Sequence, residues 1–144
     1  MAFLSGDIIT AQRLNRLQPT PYYAIGTGTV VGPLTNADVP TATIPVTNTT
    51  VGATYMAWCA WDSNVTGAAA GTLVVRMALD GVAQVPNGVY NSPTSLGRGQ
   101  PVNFYFGTLS TVTTHTFKLI ASPLTNQTIQ GVNCSIMVQI LEVV

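Results

Sequence analysis

The end of the chain, Asn133–Val144, alternates strictly between two sets of side chains. In an extended conformation the two faces carry Cys134, Ile136, Val138 and Ile140 on one side and Ser135, Met137, Gln139 and Leu141 on the other. This period of two, in a segment rich in β-branched residues and free of Gly and Pro, predicts a strand with one face packed on a core. We expect so apolar a strand to lie inside a sheet, with the run His115–Ala121 as its neighbour.

The same period recurs in short runs from Tyr22 onward, and no helical run separates them. Such runs, bounded by turn residues, are typical of an antiparallel β-sandwich; their number fits a jelly roll best, with an immunoglobulin-type sandwich as the alternative. Pro45 predicts an edge strand, and Asp80-Gly81 predicts a hairpin. The predicted strands are Tyr22–Val31, Thr41–Val46, Thr54–Asp62, Thr72–Leu79, Val82–Val85, Val102–Phe106, His115–Ala121 and Asn133–Val144.

The strand Thr54–Asp62 has apolar side chains on both faces. These faces carry Tyr55, Ala57, Cys59 and Trp61 on one side and Met56, Trp58 and Ala60 on the other. A strand of this kind is expected to be covered twice, once by the core of its own domain and once by another subunit. The residues that we expect at the contact between subunits are Met56, Trp58, Met137 and Leu141.

Residues 1–21 differ from the rest and predict an arm with one short helix, between about Gly6 and Gln18, ahead of a β domain over residues 22–144. Asp7 suits a helix N-cap, apolar residues follow at near-helical spacing, and two prolines end the run. So short a helix must dock on something. Either it folds back onto its own domain, or it reaches a neighbouring subunit or the surface that holds the assembly. The apolar residues expected to make this contact are Phe3, Leu4, Ile8, Ile9, Leu14 and Leu17.

Charged residues are scarce: they make up 7% of the chain, and five Lys and Arg balance five Asp and Glu. A typical soluble domain has about 25%. Such a surface has little electrostatic protection against self-association, so we expect a homo-oligomer, the alternative being a soluble monomer rich in Ser, Thr and Asn. A neutral chain is a poor binder of nucleic acid, and no apolar run is long enough to span a bilayer. We therefore expect neither nucleic acid nor membrane as a partner.

Groups that could catalyse a reaction are few and scattered. His115, the sole histidine, opens an apolar strand and is expected to be a hydrogen-bonded structural imidazole rather than a general base. The acids are not paired at a catalytic spacing, and Cys and His lack the spacing of a metal site. We therefore expect no enzyme, no cofactor and no metal. Cys59 and Cys134 lie in apolar runs, where two buried free thiols are favoured over a disulfide.

Two stretches of the chain resemble known proteins. The first, Phe3–Asn15, contains Gly6-Asp7, Ile8-Ile9, Thr10-Ala11 and Leu14-Asn15 and resembles the N-terminal attachment segment of many tailed-phage virion proteins. The second, Thr114–Leu119 followed by Asn133–Val143, resembles the closing strands of phage fibre-tip and tumour-necrosis-factor-like jelly rolls. The resemblance implies a phage structural protein that forms trimers or other rings and that either decorates the capsid or sits on the tail.

A short arm on one compact β domain suits a capsid decoration (cement) protein better than a fibre with a long shaft. We therefore predict a decoration protein, made in the host cytoplasm and located in the virion, that forms an oligomer, foremost a trimer, on the major capsid protein or another virion protein. The alternatives are a fibre or baseplate tip that binds a host glycan, and a bacterial adhesion-type sandwich. The candidate for glycan contact is Tyr90, in the long loop Pro86–Pro101, because the strand positions of Trp58, Trp61 and Tyr105 favour a packing role.

Overall fold

The computed structural model describes residues 18–67, 71–92 and 97–142. In these ranges the chain is all β apart from one 3-10 turn at Gly131–Asn133. The strands are β1 (Thr20–Ile25), β2 (Thr29–Val31), β3 (Ala37–Thr47), β4 (Ala53–Ala60), β5 (Ser63–Val65), β6 (Gly71–Leu79), β7 (Val82–Ala83), β8 (Gly88–Ser92), β9 (Gly97–Gly99), β10 (Val102–Leu109), β11 (Thr114–Ser122), β12 (Gln127–Gln130) and β13 (Ser135–Leu141). The arm residues from Phe3 to Leu17, and with them the expected helix, lie outside the described residues.

Most strands belong to two antiparallel sheets that face each other. Sheet 1 has the order β1–β13–β4–β10, and sheet 2 has the order β3–β11–β6, with β7 and β8 both pairing with β6. The chain passes repeatedly from one sheet to the other, and this order of strands is that of a jelly roll. A small sheet 3, β2–β12–β5–β9, joins the connections at one end of the sandwich. The predicted fold class is confirmed.

One hydrophobic core fills the space between sheets 1 and 2. Inward and outward side chains alternate along each strand, so that Ile136 and Val138 of β13 and Leu119 of β11 are buried. Tyr55 of sheet 1 meets Phe117 of sheet 2 edge to face, with ring centroids 5.1 Å apart. Full burial of such a side chain stabilises the fold by ~1.5–3 kcal/mol, so the two sheets hold each other in place.

The last strand lies inside a sheet, as predicted, but the prediction of its neighbour is wrong. β13 pairs with β1 and β4, whereas His115–Ala121 forms most of β11, between β3 and β6 in the opposite sheet. Both strands turn their apolar faces to one core and therefore meet across it. A period of two separates the two faces of a strand, but it carries no information on which strand lies alongside.

The predicted first strand is two strands, because the chain leaves sheet 1 at Gly26. A Cβ at this position would lie 2.6 Å from the carbonyl oxygen of Gly131, so a side chain would clash with the backbone. β1 begins at Thr20, ahead of the expected domain start at residue 22, and Pro21 lies inside it opposite Gln139. A proline is tolerated here because β1 is an edge strand.

The predicted edge strand at Pro45 and the predicted hairpin at Asp80-Gly81 are both confirmed, whereas one predicted loop contains two strands. β3, which holds Pro45, is an edge strand. Asp80 and Gly81 form the turn of the β6–β7 hairpin, with φ angles of 51° and 81°, which these residue types tolerate at the centre of a tight hairpin. The expected loop Pro86–Pro101 contains β8 and β9. A sequence rich in Gly and Asn indicates turns, but it does not exclude short edge strands.

The tetrapeptide Pro-Leu-Thr-Asn occurs twice, at residues 33–36 and 123–126. The two copies lie side by side at the end of the sandwich that holds sheet 3, where the backbone N–H of Leu34 donates to the carbonyl oxygen of Pro123 at 3.0 Å. Leu34 and Leu124 are both exposed. This region is termed the paired-turn end.

Asp62 fastens sheet 3 to the sandwich. Its side chain is fully buried and accepts hydrogen bonds from Arg98, whose Nε lies 2.7 Å from Oδ1, and from Asn133, whose Nδ2 lies 2.6 Å from Oδ2. The hydrogen bond from Arg98 is the main cause that lowers the pKa of Asp62; the bond from Asn133 and the charge of Arg98 add to it and outweigh the opposing effect of burial. One carboxylate thereby links the connection between β4 and β5 to β9 and to the 3-10 turn.

We predict that Asp62→Ala lowers the free energy of unfolding by ~1–3 kcal/mol, because it removes several hydrogen bonds from a buried site. Asp38→Ala is the matched control: Asp38 and Lys118 form an exposed ion pair, whose loss should change stability by less than ~1 kcal/mol. Urea unfolding measures both. The pKa of Asp62 is lowered in the folded state, so its contribution is present at neutral pH and lost as the pH falls through that pKa. Equal effects of the two substitutions at neutral pH would contradict this role.

Candidate functional site

The outer face of sheet 1 is built from residues that the strand register places in rows. Tyr23, Met137, Trp58 and Phe104 lie side by side across all four strands. Parallel rows on either side complete a surface that is termed the apolar face. Its residues are Pro21, Tyr23, Ile25, Thr54, Met56, Trp58, Ala60, Val102, Phe104, Phe106, Thr108, Ser135, Met137, Gln139 and Leu141.

None of these residues carries a charge, and aromatic rings concentrate on β4 and β10. The ring centroids of Trp58 and Phe104 are 5.2 Å apart, and those of Phe104 and Phe106 are 6.3 Å apart. Phe106, on the edge strand, is 77% exposed, and Trp58, inside the sheet, is still 38% exposed. An open groove of about 590 Å³ lies between the rings and is lined by Tyr23, Trp58, Cys59, Ala60, Val102, Asn103, Phe104, Ser135 and Met137.

The outer face of sheet 2 is different in kind. Lys118 and Asp38 form an ion pair across it, with Nζ 2.8 Å from Oδ2. Arg76 and Thr116 also occupy outward positions on its strands. Both sheets follow the same alternation on their inner side, so the contrast lies wholly in the residue types at the outward positions. Asp38 and Lys118 offer water charged partners on the outer face of sheet 2, whereas the apolar face offers water few partners.

The four residues predicted to contact another subunit all lie on the apolar face. Met56, Trp58 and Leu141 are exposed, and Met137 is half-buried between its neighbours. The strand Thr54–Asp62 was expected to be covered twice; its inner face is covered by the core, and its outer face is open in the single chain. Whether another subunit covers that outer face stays a prediction.

Strand β10 supplies much of the apolar face, which we did not foresee. Val102, Phe104 and Phe106 point outward, while Tyr105 faces the core. A signal for this orientation was present in the sequence: Leu109 follows Tyr105 at an even spacing, and both are buried. The alternation over the shorter run 102–106 separates two faces but does not decide which of them is inside.

Asn103 holds the edge of β10 in place. Its Nδ2 donates to the carbonyl oxygen of Pro86 at 2.7 Å and to the hydroxyl of Tyr105 at 3.1 Å. Its Oδ1 accepts the backbone N–H of Phe104 at 2.9 Å. The side chain therefore satisfies a backbone group on the edge strand and also helps to satisfy the buried phenol of Tyr105.

The aromatic residues considered for glycan contact occupy different environments. Trp61 and Tyr105 are buried in the core, as their strand positions predicted, but the same prediction of core filling is wrong for Trp58, which lies exposed on the apolar face. Tyr90 was expected in a loop, but it lies in β8 and packs against the edge of the core. Its ring covers Gly99 so closely that a Cβ there would lie 2.3 Å from it. Glycan contact by Tyr90 stays a prediction.

His115 is buried, and both of its ring nitrogens have an acceptor. Nδ1 lies 2.6 Å from Oδ2 of Asp80, and Nε2 lies 3.2 Å from the carbonyl oxygen of Thr111. A neutral imidazole has one N–H and can donate to only one of them, so this environment favours the imidazolium. Burial by itself would lower the pKa of His115, but the hydrogen bonds to Asp80 and Thr111 and the charge of Asp80 outweigh it and raise that pKa. The geometry is that of a structural link between two loops.

Other reactive groups are also held in structural roles. Cys59 and Cys134 are buried and free, as expected, and burial raises the pKa of both thiols, that of Cys134 to about 11. Thiols with such pKa values are poor nucleophiles at neutral pH. In the described ranges no three His, Cys, Asp or Glu side chains are grouped as metal ligands. Those ranges also contain no helix with the length and hydropathy to cross a bilayer.

No protein-family model matches the chain, and no curated protein matches it. The apolar face and the fold that presents it are therefore the main structural basis for a proposal about function.

We predict that raising the pH weakens the fold through His115. Its pKa is raised in the folded state, so its contribution to stability is complete below the unfolded pKa of about 6.5 and is lost as the pH rises through the folded pKa. Urea midpoints measured from about pH 5.5 to about pH 8 should fall for the wild type and change less for His115→Gln. The stability difference between the two proteins should shrink across this range; a constant difference would contradict the prediction.

Proposed function

We propose that this chain is a non-enzymatic structural subunit of a bacteriophage virion, foremost a capsid decoration protein. In this proposal copies of the chain associate through the apolar face, and residues 1–21 attach the assembly to the major capsid protein or another virion protein. The observation that carries the proposal is the uncharged apolar face, on a chain in which charged residues make up only 7%.

The size of the apolar face supports contact with another protein. Four strands about 4.8 Å apart, with seven residues rising about 3.4 Å each, span an area of about 19 Å by 24 Å. An apolar surface of this size matches the largest patch on a typical monomer, and such a patch is often a binding site. Burying a side chain such as Trp58 or Phe104 is worth ~1.5–3 kcal/mol, and aromatic residues dominate the binding energy of many interfaces.

A second copy of the chain is the partner that fits this face best. A charge buried against it would lose its hydration without gaining a counter-charge, so the partner must present uncharged and largely apolar residues. Sheet 2 presents Asp38, Arg76 and Lys118 and does not meet this requirement. The apolar face itself meets it. We therefore place the contact between apolar faces gathered about a common axis, in a trimer or another closed ring.

The link to a virion rests on the N-terminal sequence. Gly6-Asp7, Ile8-Ile9 and Leu14-Asn15 carry the resemblance to phage attachment segments, and a jelly roll by itself does not determine function. The strand that follows this segment, β1, lies at the edge of sheet 1. A segment that enters at an edge can leave the domain without crossing either outer face.

We predict that Trp58→Asp dissociates the oligomer, because the substitution places an unpaired charge in the middle of the proposed contact. The variant should sediment as a monomer of about 15 kDa. Val89 is exposed on β8 of sheet 2, so Val89→Asp should sediment like the wild type; circular dichroism checks that both variants are folded. A wild-type protein that sediments as a stable monomer at micromolar concentration would exclude the proposed contact.

We predict that removing residues 1–19 leaves a folded oligomer that no longer binds phage particles. The described strands begin at Thr20, so the deletion keeps the whole sandwich while it removes the apolar residues of the arm. Bound copies are counted on capsids and, separately, on tails that lack this protein. Binding of the full chain to tails alone would replace decoration by a fibre or baseplate role. Wild-type occupancy by the truncated protein would assign anchoring to another part of the molecule.

A further inference from the structure

The end of the sandwich at which residues 1–21 join it is a distinct surface. Thr20 pairs with Ile140 at the start of β1. The same end holds the loop 48–52, which leads into β4, and the loop 110–113, which follows β10. The backbone N–H of Gly52 donates to the carbonyl oxygen of Leu109 at 2.9 Å and ties these two connections together. This surface is termed the near end, and the paired-turn end is opposite to it.

The two loops of the near end are held rigidly by buried polar groups. Asn48 is buried, and its Nδ2 donates to the carbonyl oxygens of Thr50 and Thr111, both at 2.8 Å. Its Oδ1 accepts the backbone N–H of Thr113 at 3.3 Å. Glu142 accepts hydrogen bonds from the backbone N–H and the hydroxyl of Thr49. The shape of this end is therefore set before any partner arrives, which lowers the entropy lost on binding.

The two loops themselves carry no charged residue, although the partly exposed carboxylate of Asp80, which binds His115 beside the loop 110–113, and Glu142 lie at the same end. The loops read Asn-Thr-Thr-Val-Gly and Ser-Thr-Val-Thr. Val51 is 66% exposed and Val112 is 53% exposed. The partner surface that matches these valines and the hydroxyl groups around them is uncharged, with apolar patches and hydrogen-bonding groups.

We infer that the near end of the β domain lies against the same virion protein that binds residues 1–21, so that each subunit stands end-on on the particle. This inference rests on the proposed function, because it takes the arm as the anchor. Thr20 is the third residue after Leu17, and a fully extended chain covers at most ~3.3–3.6 Å per residue, so the chain allows at most ~11 Å between these two residues. The six residues of β1 set the paired-turn end about 20 Å from Thr20.

Exposure alone would not select this end, because the paired-turn end also exposes Leu34 and Leu124. The near end is selected because the arm joins the β domain there. The two pairs of residues thus form matched probes of orientation: each pair is apolar, lies in loops and is not part of the apolar face.

The experiment compares Val51→Glu/Val112→Glu with Leu34→Glu/Leu124→Glu, both in the full-length chain. Sedimentation should give the wild-type oligomer mass for both variants. On particles that lack this protein, the near-end variant should bind at least tenfold more weakly than the wild type, because its charges would be buried against an uncharged surface. The paired-turn variant should bind like the wild type.

The outcomes separate this inference from the proposal on which it rests. A wild-type chain that does not bind particles overturns both. If the wild type binds and the near-end variant binds equally well, only the end-on orientation is overturned. If the paired-turn variant is the one that fails to bind, the subunit stands the other way up, and the path from the arm to β1 must run along the sandwich.

Discussion

The position of β13 between β1 and β4 is the constraint on which the rest of the structure depends. Its inner residues, among them Ile136 and Val138, are fully buried against the opposite sheet, and a shift of one residue would exchange its two faces. Burial of the inner face therefore fixes the register of three strands at once. The outer residues of those strands, such as Met137 and Trp58, are brought into line as a consequence.

The charged side chains of the described ranges act mainly as internal ties. Each acid in the described ranges joins two separate segments: Asp38 pairs with Lys118, Asp62 with Arg98, Asp80 with His115, and Glu142 with Thr49. These contacts hold edges and loops, where hydrophobic burial is weakest. The apolar face is left without any charge. The sheet with the most exposed rings is thus the one with no charged side chain on its outer face.

Local alternation was sufficient to predict the all-β class and to separate the two faces of β4 and β13. It could not predict the pairing of β13, because two strands with the same pattern can meet side by side or across a core. It assigned no orientation to β10, since Tyr105 and Phe104 are both acceptable core residues. Tyr105 can face the core only if its hydroxyl forms hydrogen bonds there, and alternation does not show this. The link between Asp62 and Arg98 joins a loop residue to a residue of β9 that is 36 positions away, and no periodic signal marks such a contact. Residues 1–17 lie outside the described structure, so the predicted helix is not tested.

The hydrogen bonds of Asn103 have a consequence for the way copies of this chain can meet. β10 is a long edge strand with exposed aromatic side chains, and an open edge of this type can add strands from other molecules without limit, which is the route to fibrils. Asn103 occupies the N–H of Phe104 on that strand and also bonds to Pro86, so part of the edge ladder is already filled from within. For the proposed association of copies, this favours contact through side chains on the sheet face over contact through the backbone at its edge. An assembly of finite size can then form without seeding aggregation.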